Sequence, residues 1–380
     1  MNRHYLDHAS TSPTRPEVME AMLAWLTGTG GADPGRAHTE GRMARAAIEE
    51  AREQVAALLG ARPRQVIFTS GATESANAAV HGAVVARPGG AIVCPAVEHS
   101  CVRDASRRAA PTIEVGVDGH GRIDPDAFEE ALEGAGAGGL ALAHCQWGNH
   151  EVATIQPVQE ILQRCRRHQV LTHVDAAAAA GHVPLHLDDL GADMVSVSAH
   201  KLGGPKGIGA LVVRRGLRLD PLIVGGEQER GRRAGMENVP AIVGFGAAAE
   251  TLASDACRRL TDEAAAARCR TGRVLTAVAA DGVIAYGDPI NRLPHIACLG
   301  VVGVEAEAVL LGLDQAGIAV HSGSACSSES LAPSPVLEAM GADADRSLRV
   351  SVGWSSTDED IDAFLAALPR VVSRLRSLRT

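Results

Sequence analysis

The fold is read from Met194-Val195-Ser196-Val197-Ser198-Ala199-His200-Lys201-Leu202-Gly203-Gly204-Pro205-Lys206-Gly207. Met194 to Val197 is an apolar, β-branched run that predicts a strand, and the glycines and proline after Lys201 predict a tight turn. The chain holds only two lysines, Lys201 and Lys206; every other basic side chain that stays charged is arginine. An amine that must form a Schiff base with an aldehyde has to be a lysine, because a guanidinium does not give up its proton at usable pH. Lys206 stands in a turn between Pro205 and Gly207, where an ammonium is solvated. Lys201 stands at the end of a buried-looking strand beside His200, where desolvation favours the neutral amine. A reactive lysine and an ordinary surface lysine both stay open for it.

Outward from this stretch, strand and helix patterns alternate. Short apolar runs bounded by turn residues occupy 66–68, 91–94, 113–117, 140–144, 171–175 and 210–213. Helical spacing covers 15–25, 43–59, 73–80, 126–132 and a segment from Pro157 that puts Val158, Ile161, Leu162 and Cys165 on one face. Asp124 and Pro125 supply a cap and first turn for the helix at 126–132. With the strand at Met194, this alternation predicts an α/β chain: a mostly parallel, seven-stranded sheet covered by helices on both faces. After about residue 256 the pattern loosens into helices at 256–279, 306–316 and 357–375 with isolated strands at 318–320 and 348–350. The expected division is an N-terminal arm at 1–14 packed with the small domain, a large domain at 15–255, and a smaller α+β domain at 256–380.

Length and composition agree with two domains. The 380 residues are 46% hydrophobic but only 2% aromatic, so the core is aliphatic and alanine-rich. A net charge of −9 argues against a nucleic-acid-coating surface. No apolar run approaches the roughly 18 residues of a membrane span, and no signal pattern opens the chain, so the expected compartment is the cytoplasm. The eight cysteines show no paired spacing, which indicates neither a metal site nor a disulfide framework.

Four short motifs could carry chemistry. Ser70-Gly71-Ala72-Thr73 joins a strand to a helix, where free N–H groups suit a phosphate or serve an ordinary cap. Asp175 ends the strand at 171–175, on the edge where α/β sheets bind ligands. There it could keep a pyridine nitrogen protonated or make a structural ion pair. Glu98-His99 falls on the same edge, and its histidine could stack on a planar ring, shuttle a proton or simply be hydrogen-bonded. His321-Ser322-Gly323-Ser324-Ala325-Cys326-Ser327-Ser328 sets one thiol among small polar residues, the setting of a reactive cysteine.

Together these stretches resemble the cysteine desulfurases of the NifS/IscS type, a branch of the aminotransferase class V, fold-type-I enzymes. The likeness runs nearly end to end, through Tyr5-Leu6-Asp7, 68–74, Glu98-His99, 151–157, His173-Val174-Asp175, 198–209, Glu229-Arg230-Gly231, 322–326 and Arg349. It implies a pyridoxal 5′-phosphate enzyme that converts L-cysteine to L-alanine and leaves the sulfur as a persulfide on Cys326. Lys201 would be the Schiff-base lysine and proton acceptor, His99 the ring-stacking proton relay, and Asp175 the partner of the pyridine nitrogen. Ala72, Thr73, Ser198 and His200 would hold the phosphate, and His150 would face the ring oxygen. Arg349, with Asn149, would bind the substrate carboxylate. The resemblance further implies a homodimer that delivers sulfur to an acceptor: an iron–sulfur scaffold, a thiolation enzyme or a DNA phosphorothioation complex.

Three positions depart from the family pattern. His150 stands for an asparagine, Ala178 for a glutamine, and Met236 for a threonine that reaches the partner subunit's phosphate. Rival readings are a selenocysteine or cystine lyase on the same fold and a non-catalytic cofactor-binding scaffold. The alanine- and arginine-heavy chain also resembles the desulfurases of DNA phosphorothioation systems.

Overall fold

The computed structural model describes residues 3–28, 31–136, 138–253, 258–278, 283–322 and 333–378. After the short β1 (His4–Tyr5), seven strands build the main sheet: β2 (Val66–Thr69), β3 (Ala91–Pro95), β4 (Thr112–Val115), β5 (Leu140–Gln146), β6 (Thr172–Asp175), β7 (Met194–Ser198) and β8 (Gly209–Val213). Their order is β2-β8-β7-β6-β5-β3-β4. β8 runs antiparallel to both its neighbours, and every other pair is parallel. The reason is local: only the loop 199–208 separates β7 from β8, too short for the crossover a parallel neighbour requires.

Both faces of this sheet are buried, as its aliphatic strands require. Val195 and Val197 pack with the helices Thr39–Leu58 and Val239–Ala253 on one side. Met194, Ile92 and Leu142 pack with Ala79, Val80 and Ala83 of the helix Ala72–Ala86 on the other. Each fully buried aliphatic side chain of this kind stabilises the fold by roughly 1.5–3 kcal/mol. The helix Val239–Ala253 has no counterpart in the sequence reading, because Gly244 and Gly246 interrupt its pattern. Both glycines are packing requirements. A Cβ on Gly246 would lie 2.7 Å from the Ala51 Cα, and one on Gly244 2.7 Å from the Pro205 Cγ.

A second core gathers around β9 (Val283–Tyr286), β10 (Ile296–Val301) and β12 (Ser347–Ser351), an antiparallel sheet in the order β12-β10-β9. The helix Asp358–Ser377 covers it with Ile361, Phe364 and Leu368. β11 (Ile318–Ala319) pairs in parallel with β1, and Leu6 is buried in this second core. The helix expected at 256–279 spans Arg259–Val278. The strand expected at 113–117 stops at Val115, before Gly116. No helix among the described residues is long and apolar enough to cross a membrane.

One buried ion pair ties the loops at the sheet edge together. Arg52 donates from Nη1 and Nη2 to Glu229 at 2.7 and 2.8 Å, and Glu229 also accepts the Phe68 amide at 3.0 Å. Glu229 and Arg230 both adopt left-handed backbone, at φ 48° and 61°. Such strain persists only where the surroundings enforce it, and here the bidentate Arg52 contact does so. Farther along the same loop Arg233 pairs with Glu74, whose Oε2 accepts the Ser70 amide at 2.8 Å. The loop 227–236 thereby fixes both ends of β2.

Candidate active site

Strand register brings the site together. Thr69 and Ser198 both pair with Gly209, which sets Ser70-Gly71 beside the turn Ala199–Leu202. A Cβ on Gly209 would lie 2.5 Å from the Val197 carbonyl oxygen and 2.7 Å from the Gly71 Cα, so only glycine allows this approach. Asp175 pairs with Gln146 on one side and Ser196 on the other. The carboxyl ends of β2, β5, β6 and β7 therefore open on one cleft of about 500 Å³, the edge at which α/β sheets bind ligands.

One wall of the cleft carries Ala72 and Thr73, in the first turn of the helix Ala72–Ala86, and the buried Ser198. His200 and Lys201 line the cleft from the turn that follows β7. Burial and the nearby ammonium groups of Lys201 and Lys206 depress the His200 imidazole to about 4. Asp175 lies between the strand ends, its Oδ1 accepting the Ala177 amide at 2.9 Å. Burial raises its carboxyl above the usual range, opposed by that hydrogen bond and by the charge of Lys201. His173, two residues earlier, turns the other way, into a buried chain from Ser196 through His173 and His144 to Ser106.

His99 caps the helix Ser100–Ala109; its Nδ1 accepts the Cys101 amide at 3.1 Å and lies 3.0 Å from the Cys101 Sγ. Accepting at Nδ1 leaves the proton of the neutral ring on Nε2. Its ring meets that of His150 edge-on, with centroids 5.0 Å apart. Burial first, and then the proximity of His150 and Lys201 for His99 and of Lys201 and Arg349 for His150, holds both imidazoles well below their ordinary range. His99 and His150 are therefore neutral donors or acceptors at physiological pH.

Arg349 reaches the cleft from β12, in the other sheet, and is 1% exposed. Nη1 donates to the His150 carbonyl at 3.0 Å, and Nη2 donates to Asp7 Oδ1 at 3.0 Å and Ser10 Oγ at 2.6 Å. Its Nε is buried with no hydrogen-bond partner among the described residues. Three of five guanidinium donors are thus committed, and Nε and one Nη1 proton are left uncommitted among the described residues.

Asn149 does not line the cleft. Its amide nitrogen donates to the Val97 carbonyl and to Gln146 Oε1, while its Oδ1 accepts the amides of Glu151 and Val152 at 2.8 Å. Its side chain supports the loop 147–155 from within. Ala178 forms part of the cleft wall, and Met236 is 70% exposed. Cys326 lies outside the described residues. Ser10 and Thr11 of the arm, Gln146 and Cys101 line the cleft without having been singled out in the sequence. The neighbours of Cys101 and Ser10, Glu98-His99 and Tyr5-Leu6-Asp7, were the available signals.

Glu151 joins this loop to the region after residue 332. It accepts a hydrogen bond from Ser334 Oγ, and Ser334 caps the helix Pro335–Ala339. Burial pushes the Glu151 carboxyl up to about 7 despite that bond and the charge of Arg349. The folded state then holds this proton more tightly than the unfolded chain, so stability falls as pH rises from about 4.5 to about 7 and is level above. Glu151→Gln is expected to remove this component. Relative to the parent, the variant gains up to about 3 kcal/mol between pH 5 and pH 8 in denaturant unfolding. An identical stability difference at both pH values would refute the assignment.

The model of the Aminotransferase class-V family matches residues 4–364. The chain belongs to that family. Among class-V relatives, a cysteine desulfurase from Trichormus azollae is 41% identical, over 98% of this chain and 94% of its own. A solved structure titled NifS-like protein superimposes with a TM-score of 0.89 at 30% identity, covering 98% of this chain and all of its own. Another, titled SspA in complex with cysteine, has a TM-score of 0.79 at 30% identity and covers 93% of this chain and all of its own.

Proposed function

We propose that the cleft binds pyridoxal 5′-phosphate and L-cysteine and that the protein is a cysteine desulfurase. The observation that carries this reading is the meeting, at adjacent strand ends, of Lys201 with a half-buried Asp175 whose carboxyl is raised by desolvation. A carboxylate so placed favours a cationic partner, such as a protonated pyridine nitrogen. The phosphate would lie against the first-turn amides of Ala72 and Thr73 with Ser198 and His200, where a helix N-terminus favours an anion. His99 would cover the ring, with His150 edge-on beside it. Once bound, the cofactor supplies an aldehyde for Lys201 and a ring that acidifies the Cα–H of an amino acid.

The remaining work belongs to the chain. The two uncommitted donors of Arg349 receive the substrate carboxylate, and the Asp7 and Ser10 contacts hold the guanidinium in place. Lys201 Nζ takes the Cα proton. The Nε2 proton of His99 would go to the leaving group, with Nδ1 accepting the Cys101 amide. The Cys326 thiolate takes the sulfur: the substrate Cβ–S bond breaks, an S–S bond forms on Cys326, and L-alanine departs. L-Cysteine plus enzyme thiol thus gives L-alanine plus enzyme persulfide, balanced without an external oxidant.

A homodimer fits the exposed apolar side chains Met19, Leu23 and Leu26, and Leu222, Val224 and Met236 of the loops near β2. The persulfide would pass to a separate acceptor protein. With L-cysteine and a dithiol reductant, the purified protein is expected to release one L-alanine per sulfide. Pyruvate and ammonia in place of alanine would identify a lyase instead, and a colourless, inert protein a scaffold.

A further inference from the structure

Cys101 is a cleft thiol for which the desulfurase reading has no use. Four other described cysteines are buried away from solvent: burial drives Cys94 and Cys145 well above the ordinary thiol range and Cys165 and Cys298 to about 12. Cys101 differs in each respect. It is half-buried, lines the cleft, sits in the first turn of the ten-residue helix Ser100–Ala109, and has its Sγ 3.0 Å from the His99 Nδ1. A helix N-terminus and an adjacent imidazole are the surroundings in which a thiol exchanges with disulfides. The second observation lies on the same cleft: Arg349, 1% exposed, keeps a buried Nε with no hydrogen-bond partner among the described residues.

We propose that Cys101 is a site of reversible thiol–disulfide exchange with a small disulfide that carries an α-carboxylate, the chemistry of L-cystine. The inference rests on reading Arg349 as the carboxylate site. The Cys101 Sγ attacks one sulfur of the disulfide; a new S–S bond forms to Cys101 as the original S–S bond breaks. The thiol proton is given up to solvent and the departing sulfur takes one back, so one cysteine leaves as a free thiol. No net oxidation occurs, and the disulfide is the oxidised form of the amino acid the site is read to bind. The cysteinyl group left on Cys101 fills the cleft beside His99 and shuts out substrate, so the enzyme is switched off when its substrate pool is oxidised.

The test treats the cofactor-loaded protein with L-cystine, removes the excess, and maps peptides without reductant. One cysteinyl group is expected on the Cys101 peptide, with cysteine turnover falling in proportion and both reversed by dithiothreitol. Exchange at Cys101 is expected to run at least about tenfold faster with L-cystine than with cystamine, which lacks carboxylates. Cys101→Ser should retain whatever turnover it has through the cystine treatment. Equal rates for the two disulfides, an adduct confined to other cysteines, or equal inactivation of Cys101→Ser would overturn the proposal. Failure of the desulfurase reading shows separately, as absence of alanine, while the adduct is still scored by mass.

Discussion

Lys201→Ala is expected to lose cysteine turnover by at least about 10³-fold and to lose the visible absorbance of the bound cofactor at the same time. A general base contributes about 10²–10⁴-fold on its own, and Lys201 is read as both the base and the covalent anchor. The fold should survive the change. Lys201 lies in the short turn Ala199–Leu202, with its side chain on the cleft and partly exposed. The turn is held through its backbone, whose Lys201 carbonyl accepts from Ser12 Oγ and His182 Nε2. Lys201→Arg keeps a positive charge beside Asp175 but cannot supply a neutral amine, and it is expected to be equally inactive. Unfolding curves of the cofactor-free parent and of the variants should nearly coincide while absorbance and alanine formation collapse. Turnover within tenfold of the parent would remove Lys201 from the mechanism.

Cys326→Ser is expected to show the complementary pattern. Cofactor absorbance and its change on adding cysteine should remain, because those steps are read to use Lys201, Asp175 and Arg349. Sulfide release and enzyme-bound persulfide should fall by at least about 10²-fold, since a serine hydroxyl is neither ionised nor soft enough to collect sulfur. The chain on the C-terminal side of this cysteine is tied to the cleft through the buried Ser334–Glu151 bond, so the substitution leaves that anchor intact. Sulfide release at the parental rate from Cys326→Ser would contradict the assignment of the sulfur to this thiol.

Much of this site was legible before any tertiary contact was known. Lys201 stood out because the chain is otherwise nearly free of lysine, and a Schiff-base amine cannot be arginine. Asp175, His99 and the Ser70–Thr73 turn stood out because each follows a strand pattern, and parallel strands in an α/β sheet end on one edge. Asn149 misled, because its motif position says nothing of where its amide turns; three backbone groups and Gln146 take all of its hydrogen bonds. Cys101 was passed over because the eight cysteines show no paired spacing that would single one out. Only its place in the first turn of the helix Ser100–Ala109 turns the thiol toward the cleft.

By itself the sequence determined the alternation of strands and helices through the main sheet, the class of fold and the chemical types at the ends of the strands. These follow from local causes: a repeat of two or 3.6 residues in apolar side chains, and turn residues between the repeats. Tertiary structure alone decided which ends are neighbours, because the order β2-β8-β7-β6-β5-β3-β4 joins residues far apart in the chain. It placed Gly209 between Thr69 and Ser198. It also brought Arg349 from a separate sheet to Asp7 and Ser10, more than three hundred residues earlier in the chain. The protonation states were decided there too: His99 and His150 are neutral, and Asp175 and Glu151 raised, because folding withdrew them from water. Desolvation depends on what packs against a group from every side, and no local stretch of sequence carries that information.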